Sequence, residues 1–161
     1  MTTLHDVNLT TLDNGFTLRW QNRLILAHTD EAPCLWIGTG VADIEMFRGN
    51  FSIKDKLNEK IALTEATVTH QQNGWAIRFT RGDTVSATLL VGADDRGRLE
   101  IKLKNDAASH NRIWLRLAAE PEDHIYGCGE QFSYFDLRGK PFPLWTSEQG
   151  VGRNKQTYVT W

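Results

Sequence analysis

The sequence lacks the patterns that would mark several common classes of protein. It has only two cysteines, Cys34 and Cys128, too few for a disulfide framework. No apolar run approaches the roughly 18 residues that a membrane-spanning helix needs, and the opening residues 1–6 lack the basic start and apolar core of a secretory signal. These absences predict a cytoplasmic protein that has reduced thiols and no membrane partner.

Concentrated positive charge is also missing. The net charge is −2 and the basic residues are scattered, so nucleic acid is not expected as a partner. The five histidines show no HxH or HxxxH spacing and no CxxC pair accompanies them, which argues against a metal site. We therefore predict that the protein binds neither nucleic acid nor a metal ion.

Two glycine pairs fail as nucleotide-binding motifs. Gly127-Cys128-Gly129 has Phe132 in place of the third glycine of a dinucleotide-binding motif, and Gly150-Val151-Gly152 has Lys155 there. No GxxxxGK[ST] motif occurs. Cys128 lies between glycines, but no signature of a thiol enzyme surrounds it, which favours a packed thiol. No cofactor is predicted.

Period-two alternation of apolar and polar residues dominates the chain up to about residue 119. It is clearest in five segments, centred on Leu18, Ile77, Leu89, Ile101 and Leu115. Such alternation indicates antiparallel strands with one buried face, and the dipeptides Asn14-Gly15 and Asn73-Gly74 are typical of hairpin turns. The only segment that suggests a short helix is 55–61. The sequence predicts one all-β domain, an antiparallel β-sandwich, with a strand-rich part at 1–119 and a loop block at 120–161.

The loop block holds the most informative motifs. Tyr126-Gly127-Cys128-Gly129-Glu130 is followed by Leu137-Arg138-Gly139 and then by Leu144-Trp145 before a short acidic loop. This order and spacing resembles the block that closes the N-terminal β-domain of family-31 glycoside hydrolases, which are retaining α-glycosidases. Within that family the block is most similar to the bacterial sulfoquinovosidases.

The resemblance implies a galactose-mutarotase-like sandwich that precedes a (β/α)₈ catalytic barrel. A barrel of that kind needs about 250 residues, so it is absent from this chain, and the loop block would face it. Both catalytic aspartates of the family would lie beyond residue 161. The resemblance therefore implies that this chain contains no catalytic residue. The sequence also stops within a strand-like run, which is unusual for a natural terminus, so we expect the chain to be the N-terminal part of a longer enzyme.

Four residues of the loop block are the candidate substrate-binding groups. Glu130 and Gln131 could hydrogen-bond sugar hydroxyls, and Trp145 could stack on a sugar; Glu148 takes the place of the family's sugar-binding aspartate. For Glu130 the alternative is a structural carboxylate that caps loop amides or pairs with Arg138. For Glu148 it is an exposed acidic loop, and Arg153 and Lys155 nearby are either anion-binding or ordinary surface residues. By contrast, Trp36, Trp75 and Trp114 sit in strand patterns and are expected in the core.

Three functions remain open from the sequence. The first is a scaffold and substrate-rim domain of a glycoside hydrolase. Its partners would be an α-glycoside, which the resemblance to sulfoquinovosidases makes an α-sulfoquinovoside, and its own catalytic barrel. The second is a mutarotase-like aldose epimerase, which needs a general acid and base across the sugar ring. The third is a stand-alone carbohydrate-binding module. Fold alone does not decide between them, and the loop block favours the first.

Overall fold

The computed structural model describes residues 6–47, 50–83, 85–105, 109–127 and 134–141, with the backbone alone at 50, 51 and 105. By its internal contacts the chain divides into two compact units. The first comprises Met1–Val41 and Leu57–Ala119, and the second comprises Ala42–Lys56 and Glu120–Trp161.

Ten strands and no helix occur in these described ranges. The strands are β1 Val7–Leu12, β2 Gly15–Trp20, β3 Arg23–Thr29, β4 Leu35–Phe47, β5 Asn50–Ala62, β6 Glu65–Gln71, β7 Gly74–Arg81, β8 Val85–Ala93, β9 Leu99–Asn105 and β10 Arg112–Leu115. They form three sheets, ordered β1-β2-β3, β10-β4-β5 and β6-β7-β8-β9. Their neighbours pair antiparallel, as in β7 with β8 and β10 with β4. The all-β, antiparallel prediction is confirmed.

One local prediction was wrong. The segment 55–61 that suggested a helix lies within β5, Asn50–Ala62. Its side chains are mostly exposed, so the sequence there carries neither the apolar alternation of a half-buried strand nor the apolar stripe of a packed helix. Pairing with β4 makes it a strand.

The two predicted hairpins form, but the two turn residues lie one position earlier in the sequence than the predicted Asn-Gly dipeptides. Leu12 pairs with Gly15, and Gln71 pairs with Gly74, so each glycine is the first residue of its strand. A Cβ at Gly15 would lie 1.9 Å from the His28 carbonyl oxygen, and one at Gly74 would lie 1.9 Å from that of Val91. Glycine is needed at these positions because a neighbouring backbone approaches too closely for a side chain.

The core of the first unit takes side chains from all three sheets. The buried apolar residues are Val7, Phe16, Leu18, Leu26, Cys34, Leu35, Ile37, Leu63, Ile77, Phe79, Ala87, Leu89 and Val91. Most of them come from alternating segments of the sequence, whose strands bury every second side chain. The segment centred on Leu115 is an exception: Ile113, Leu115 and Leu117 are 39%, 37% and 57% exposed, so the predicted buried face is wrong there.

The three strand tryptophans do not share one environment. Trp75 packs against the core as predicted. Trp36 alternates with the buried Leu35 and Ile37, so it points to the opposite face of its sheet, where it pairs across strands with Trp114. The Lys60 ammonium lies 5.2 Å from the centre of the Trp36 ring and 4.7 Å from that of Trp114. The core prediction was therefore wrong for Trp36 and Trp114, which are half-buried beneath a cation.

Candidate functional site

The four candidate substrate-binding residues, Glu130, Gln131, Trp145 and Glu148, lie outside the described residues, as do Cys128, Arg153 and Lys155. Their proposed roles stay predictions. The structure does describe the parts of the loop block that border residues 128–133, namely 120–127 and 134–141. Both segments belong to the second compact unit.

The carboxylate of Asp136 joins these two segments. One oxygen, Oδ2, lies 2.6 Å from Nδ1 of His124. The other, Oδ1, accepts the backbone N–H of Ile125 at 3.2 Å and that of Arg138 at 3.0 Å. An ionised carboxylate is well suited to this position because it offers only acceptors to three donors.

These hydrogen bonds also set the protonation state of Asp136. The His124 hydrogen bond is the largest cause, followed by the backbone N–H groups of Arg138 and Ile125, and together they lower the pKa of Asp136 from 3.8 to about 2. Hydrogen bonds to the charged form favour that form. Asp136 is therefore a carboxylate at all but strongly acidic pH.

Arg138 makes a second connection between the segments. Its guanidinium Nη1 donates to the backbone carbonyl of Glu120 at 2.6 Å and to that of Asp123 at 2.8 Å. Charge-assisted bonds of this kind are stronger than neutral ones. The backbone N–H of Leu137 adds a bond of 2.8 Å to the carbonyl of Ile125, and the Leu137 side chain is buried.

The acidic stretch at 120–123 forms a turn. The N–H of Asp123 donates to the carbonyl of Glu120 at 3.1 Å, and a carboxylate oxygen of Asp123 accepts the N–H of Glu120 at 2.8 Å. This turn directs both carbonyls of 120 and 123 toward one guanidinium, which explains why Arg138 can bind the two together.

Aromatic side chains line the same segments and are largely uncovered. The Tyr126 ring stacks near His124 at 6.0 Å between centres and contacts the Phe135 ring at 5.0 Å. Phe135 is 87% exposed and Tyr126 is 55% exposed. Large exposed aromatic rings favour contact with another protein surface or with the apolar face of a sugar.

Other chemistry has little support in the part of the chain that the structure covers. No group of three or more metal-ligating side chains occurs among those residues, and they contain no helix that is long and apolar enough to cross a membrane. Burial raises the pKa of the Cys34 thiol to about 11, so this cysteine is an inert core residue and not a nucleophile.

The comparison with protein families now identifies the class. Residues 37–161 match the model of the glycosyl hydrolase 31 N-terminal galactose mutarotase-like domain. Because the match covers well over half of the chain, the chain belongs to this family.

Two relatives to which the chain is similar are both named sulfoquinovosidases. The chain is 73% identical over 149 residues to a sulfoquinovosidase of Escherichia coli strain K12, covering 92% of this chain and 22% of that protein. It is 42% identical over 155 residues to a sulfoquinovosidase of Agrobacterium fabrum, covering 93% of this chain and 22% of that protein. The chain thus spans about 22% of the length of the curated relatives it matches.

A solved structure supports the same relationship. The chain is similar to a family-31 sulfoquinovosidase from E. rectale that was determined in complex with an aza-sugar inhibitor. The TM-score is 0.74 at 39% identity, and the match covers 94% of this chain and 22% of that chain.

Sequence reasoning missed the residues that organise the described part of the loop block. The one contact predicted for Arg138 was with Glu130, and no role was predicted for Asp136 or His124. The signal available was an aspartate two residues before the arginine in Asp136-Leu137-Arg138, an arrangement in which an Asp side chain accepts the N–H two residues ahead.

Proposed function

We propose that this chain is the N-terminal domain of a longer retaining α-glycosidase that hydrolyses α-sulfoquinovosides. The observation that carries the proposal is the 73% identity over 149 residues to a protein named sulfoquinovosidase. Neither the epimerase nor the stand-alone binding module has comparable support, since the relatives named in the comparisons are hydrolases.

In this proposal the chain supplies no catalytic group. A retaining glycosidase needs a nucleophilic carboxylate and an acid/base carboxyl about 5–5.5 Å apart, and both would come from the polypeptide beyond residue 161. The contribution of this domain is to border the sugar site and to support the catalytic barrel.

Glu130, Gln131, Trp145 and Glu148 are the proposed substrate-binding residues. Carboxylate and amide groups can hydrogen-bond sugar hydroxyls, and an indole can stack on the apolar face of the ring. The support for Glu130 and Gln131 is their place in the sequence, directly between the two segments that Asp136 and Arg138 join.

The proposed partner for the exposed aromatic residues of the second unit is the remainder of the same polypeptide. The relatives extend far beyond the region that this chain matches, and Tyr126 and Phe135 present an uncovered apolar surface. The compartment that we propose is the cytoplasm, where a free buried thiol such as Cys34 stays reduced.

The test is an assay of the longer enzyme beside this chain alone. The longer enzyme should cleave an aryl α-sulfoquinovoside in preference to an aryl α-glucoside, and the isolated chain should cleave neither. Glu130→Ala and Glu148→Ala in the longer enzyme should each lower kcat/KM about ten- to a hundredfold, equivalent to about 1.5–3 kcal/mol for a charge-assisted hydrogen bond.

Three outcomes would count against these statements. Turnover by the repurified chain alone would contradict the absence of catalytic residues. A longer enzyme that prefers the glucoside would contradict the substrate assignment. If both variants only lower the melting temperature, with kcat/KM per folded enzyme unchanged, the two glutamates are structural.

A further inference from the structure

Strand β10 forms one edge of its sheet. Among the described residues it pairs only with β4. The N–H of Arg116 donates to the carbonyl of Cys34 at 2.8 Å and continues that ladder. Because successive residues of a paired strand direct their backbone groups to opposite sides, the N–H and C=O groups of Ile113 and Leu115 point away from β4, toward the edge.

The side chains of Ile113 and Leu115 lie on the core side of the same sheet. They stand directly opposite Ile37 and Leu35, and opposite residues of an antiparallel pair share a face. Ile37 and Leu35 are completely buried, whereas Ile113 is 39% exposed and Leu115 is 37% exposed. The apolar layer of the core therefore continues onto β10 and ends there with its side chains partly in solvent.

This edge has few of the features that protect a strand from further pairing. Natural proteins protect edges with short strands, proline, bulges, inward-pointing charges or a covering segment. β10 is short, but its sequence RIWL has no proline, and its one charged residue, Arg112, alternates with Ile113 and so lies on the opposite face. Free backbone groups beside apolar side chains are what an added strand uses.

The occupant that fits this edge best is a strand from the same polypeptide. The chain spans only 22% of the relatives it matches, and the matched family is an N-terminal domain. A strand within the same polypeptide has a high effective concentration at the edge. A second copy would have to associate through a strand of four residues, which is far less than a stable interface needs.

We propose that an extended segment from beyond residue 161 adds to the free edge of β10 as a further strand. Its backbone hydrogen-bonds the N–H and C=O groups of Ile113 and Leu115, and its apolar side chains cover these two residues. The inference rests only on the part of the proposed function that makes this chain one part of a longer polypeptide, and it does not depend on the substrate.

Residue-resolved amide hydrogen exchange in the longer enzyme and in this chain tests the proposal. The amides of Ile113 and Leu115 should exchange quickly in this chain and at least about a hundredfold more slowly in the longer enzyme. The amide of Arg116 is the control within the same segment. It already donates to Cys34, so its exchange should change much less between the two proteins.

A pair of variants tests the apolar cover separately. Leu115→Ser should lower the melting temperature of the longer enzyme more than that of this chain, because only the longer enzyme would bury the side chain. Leu90→Ser is the matched control. Leu90 is 38% exposed, but its strand β8 is paired on both sides and offers no free edge, so its effect should be alike in both proteins.

Four results would overturn the proposal. Fast exchange of Ile113 and Leu115 in the longer enzyme would show that no strand is added. Slow exchange in this chain at every concentration would show that the chain covers its own edge. Exchange that slows as this chain dimerises, followed by sedimentation, would assign the edge to a second copy. Equal effects of Leu115→Ser and Leu90→Ser in the longer enzyme would remove the apolar cover.

Failure of the proposed substrate is distinguishable from each of these results. A longer enzyme that prefers the aryl α-glucoside, yet protects the amides of Ile113 and Leu115, would contradict the substrate assignment and support the added strand. An enzyme that cleaves the sulfoquinovoside and leaves both amides unprotected would overturn the added strand alone.

Discussion

At the scale of single residues, His28 is a polar side chain that is buried in the core. Its ring stacks on Phe16 at 5.6 Å and meets the edge of Phe79 at 5.1 Å. Nδ1 accepts the backbone N–H of Cys34 at 3.3 Å, so Nε2 carries the proton and donates to the carbonyl of Thr64 at 3.1 Å. Both ring nitrogens are satisfied in the neutral form, and a second proton would place Nδ1–H against an N–H donor.

This environment predicts that acid destabilises the chain. The pKa of His28 is lowered from 6.5 in the folded chain, and desolvation by burial is the largest cause. At a pH between the folded-state and the unfolded-state pKa, the unfolded chain therefore binds a proton that the folded chain does not. The stabilisation is complete above pH 6.5 and decreases as the pH falls toward the lower folded-state value, by at most about 1.4 kcal/mol per pH unit.

The measurement is the free energy of unfolding of the isolated chain between pH 5 and 8. His28→Gln serves as the non-titrating comparison, because the other histidines remain in both proteins. The slope below pH 6.5 should be smaller in the variant. Equal slopes would show that His28 does not titrate differently in the folded and unfolded chain.

At the scale of elements, the strands differ in how securely they are paired. β7 pairs along its length with β6 on one side and β8 on the other, and it contributes Ile77 and Phe79 to the core. β10 has four residues and pairs only with β4 in the described sheet. Few buried contacts and a short ladder mark a region that opens easily.

We therefore expect backbone amides of β7 to exchange hydrogen much more slowly than those of β10. Amide exchange followed by mass spectrometry on peptides that cover 74–81 and 112–115 measures this directly. Peptides from β8, which is also paired on both sides, should resemble β7. Exchange in β10 as slow as in β7 would contradict the ranking.

The same contrast explains which elements the sequence could predict. β2, β7, β8 and β9 were found because each buries alternate side chains, and the alternation records that burial. Residues 41–47 of β4 are all exposed, so only the first half of β4 carries the alternation, and the mostly exposed β5 does not carry it. The contacts of Arg138 could not be predicted, because this residue binds the backbone carbonyls of Glu120 and Asp123, and a carbonyl is present in every residue type. The motifs of the loop block could be interpreted only through their resemblance to a known family.

At the scale of the whole molecule, the second unit carries apolar side chains that the described residues leave uncovered. Ile125, Tyr126, Tyr134 and Phe135 are all exposed, and Phe135 reaches 87%. Scattered exposed apolar residues are normal, but several within eleven residues of sequence indicate a surface for another protein part. Under the proposed function, that part is the remainder of the enzyme.

Phe135→Ser tests this proposal because its effect should depend on the length of the polypeptide. In the isolated chain an exposed side chain contributes little, and the free energy of unfolding should change by less than about 0.5 kcal/mol. In the longer enzyme, where the ring would be buried, the same substitution should cost about 1.5–3 kcal/mol. Leu12→Ser, at a β1 position that is 47% exposed, is the control and should behave alike in both proteins. Denaturant titration of the four variants gives the comparison. An equal, small effect of Phe135→Ser in both lengths would mean that the enzyme leaves this surface open, and would point instead to a ligand or a separate protein as its partner.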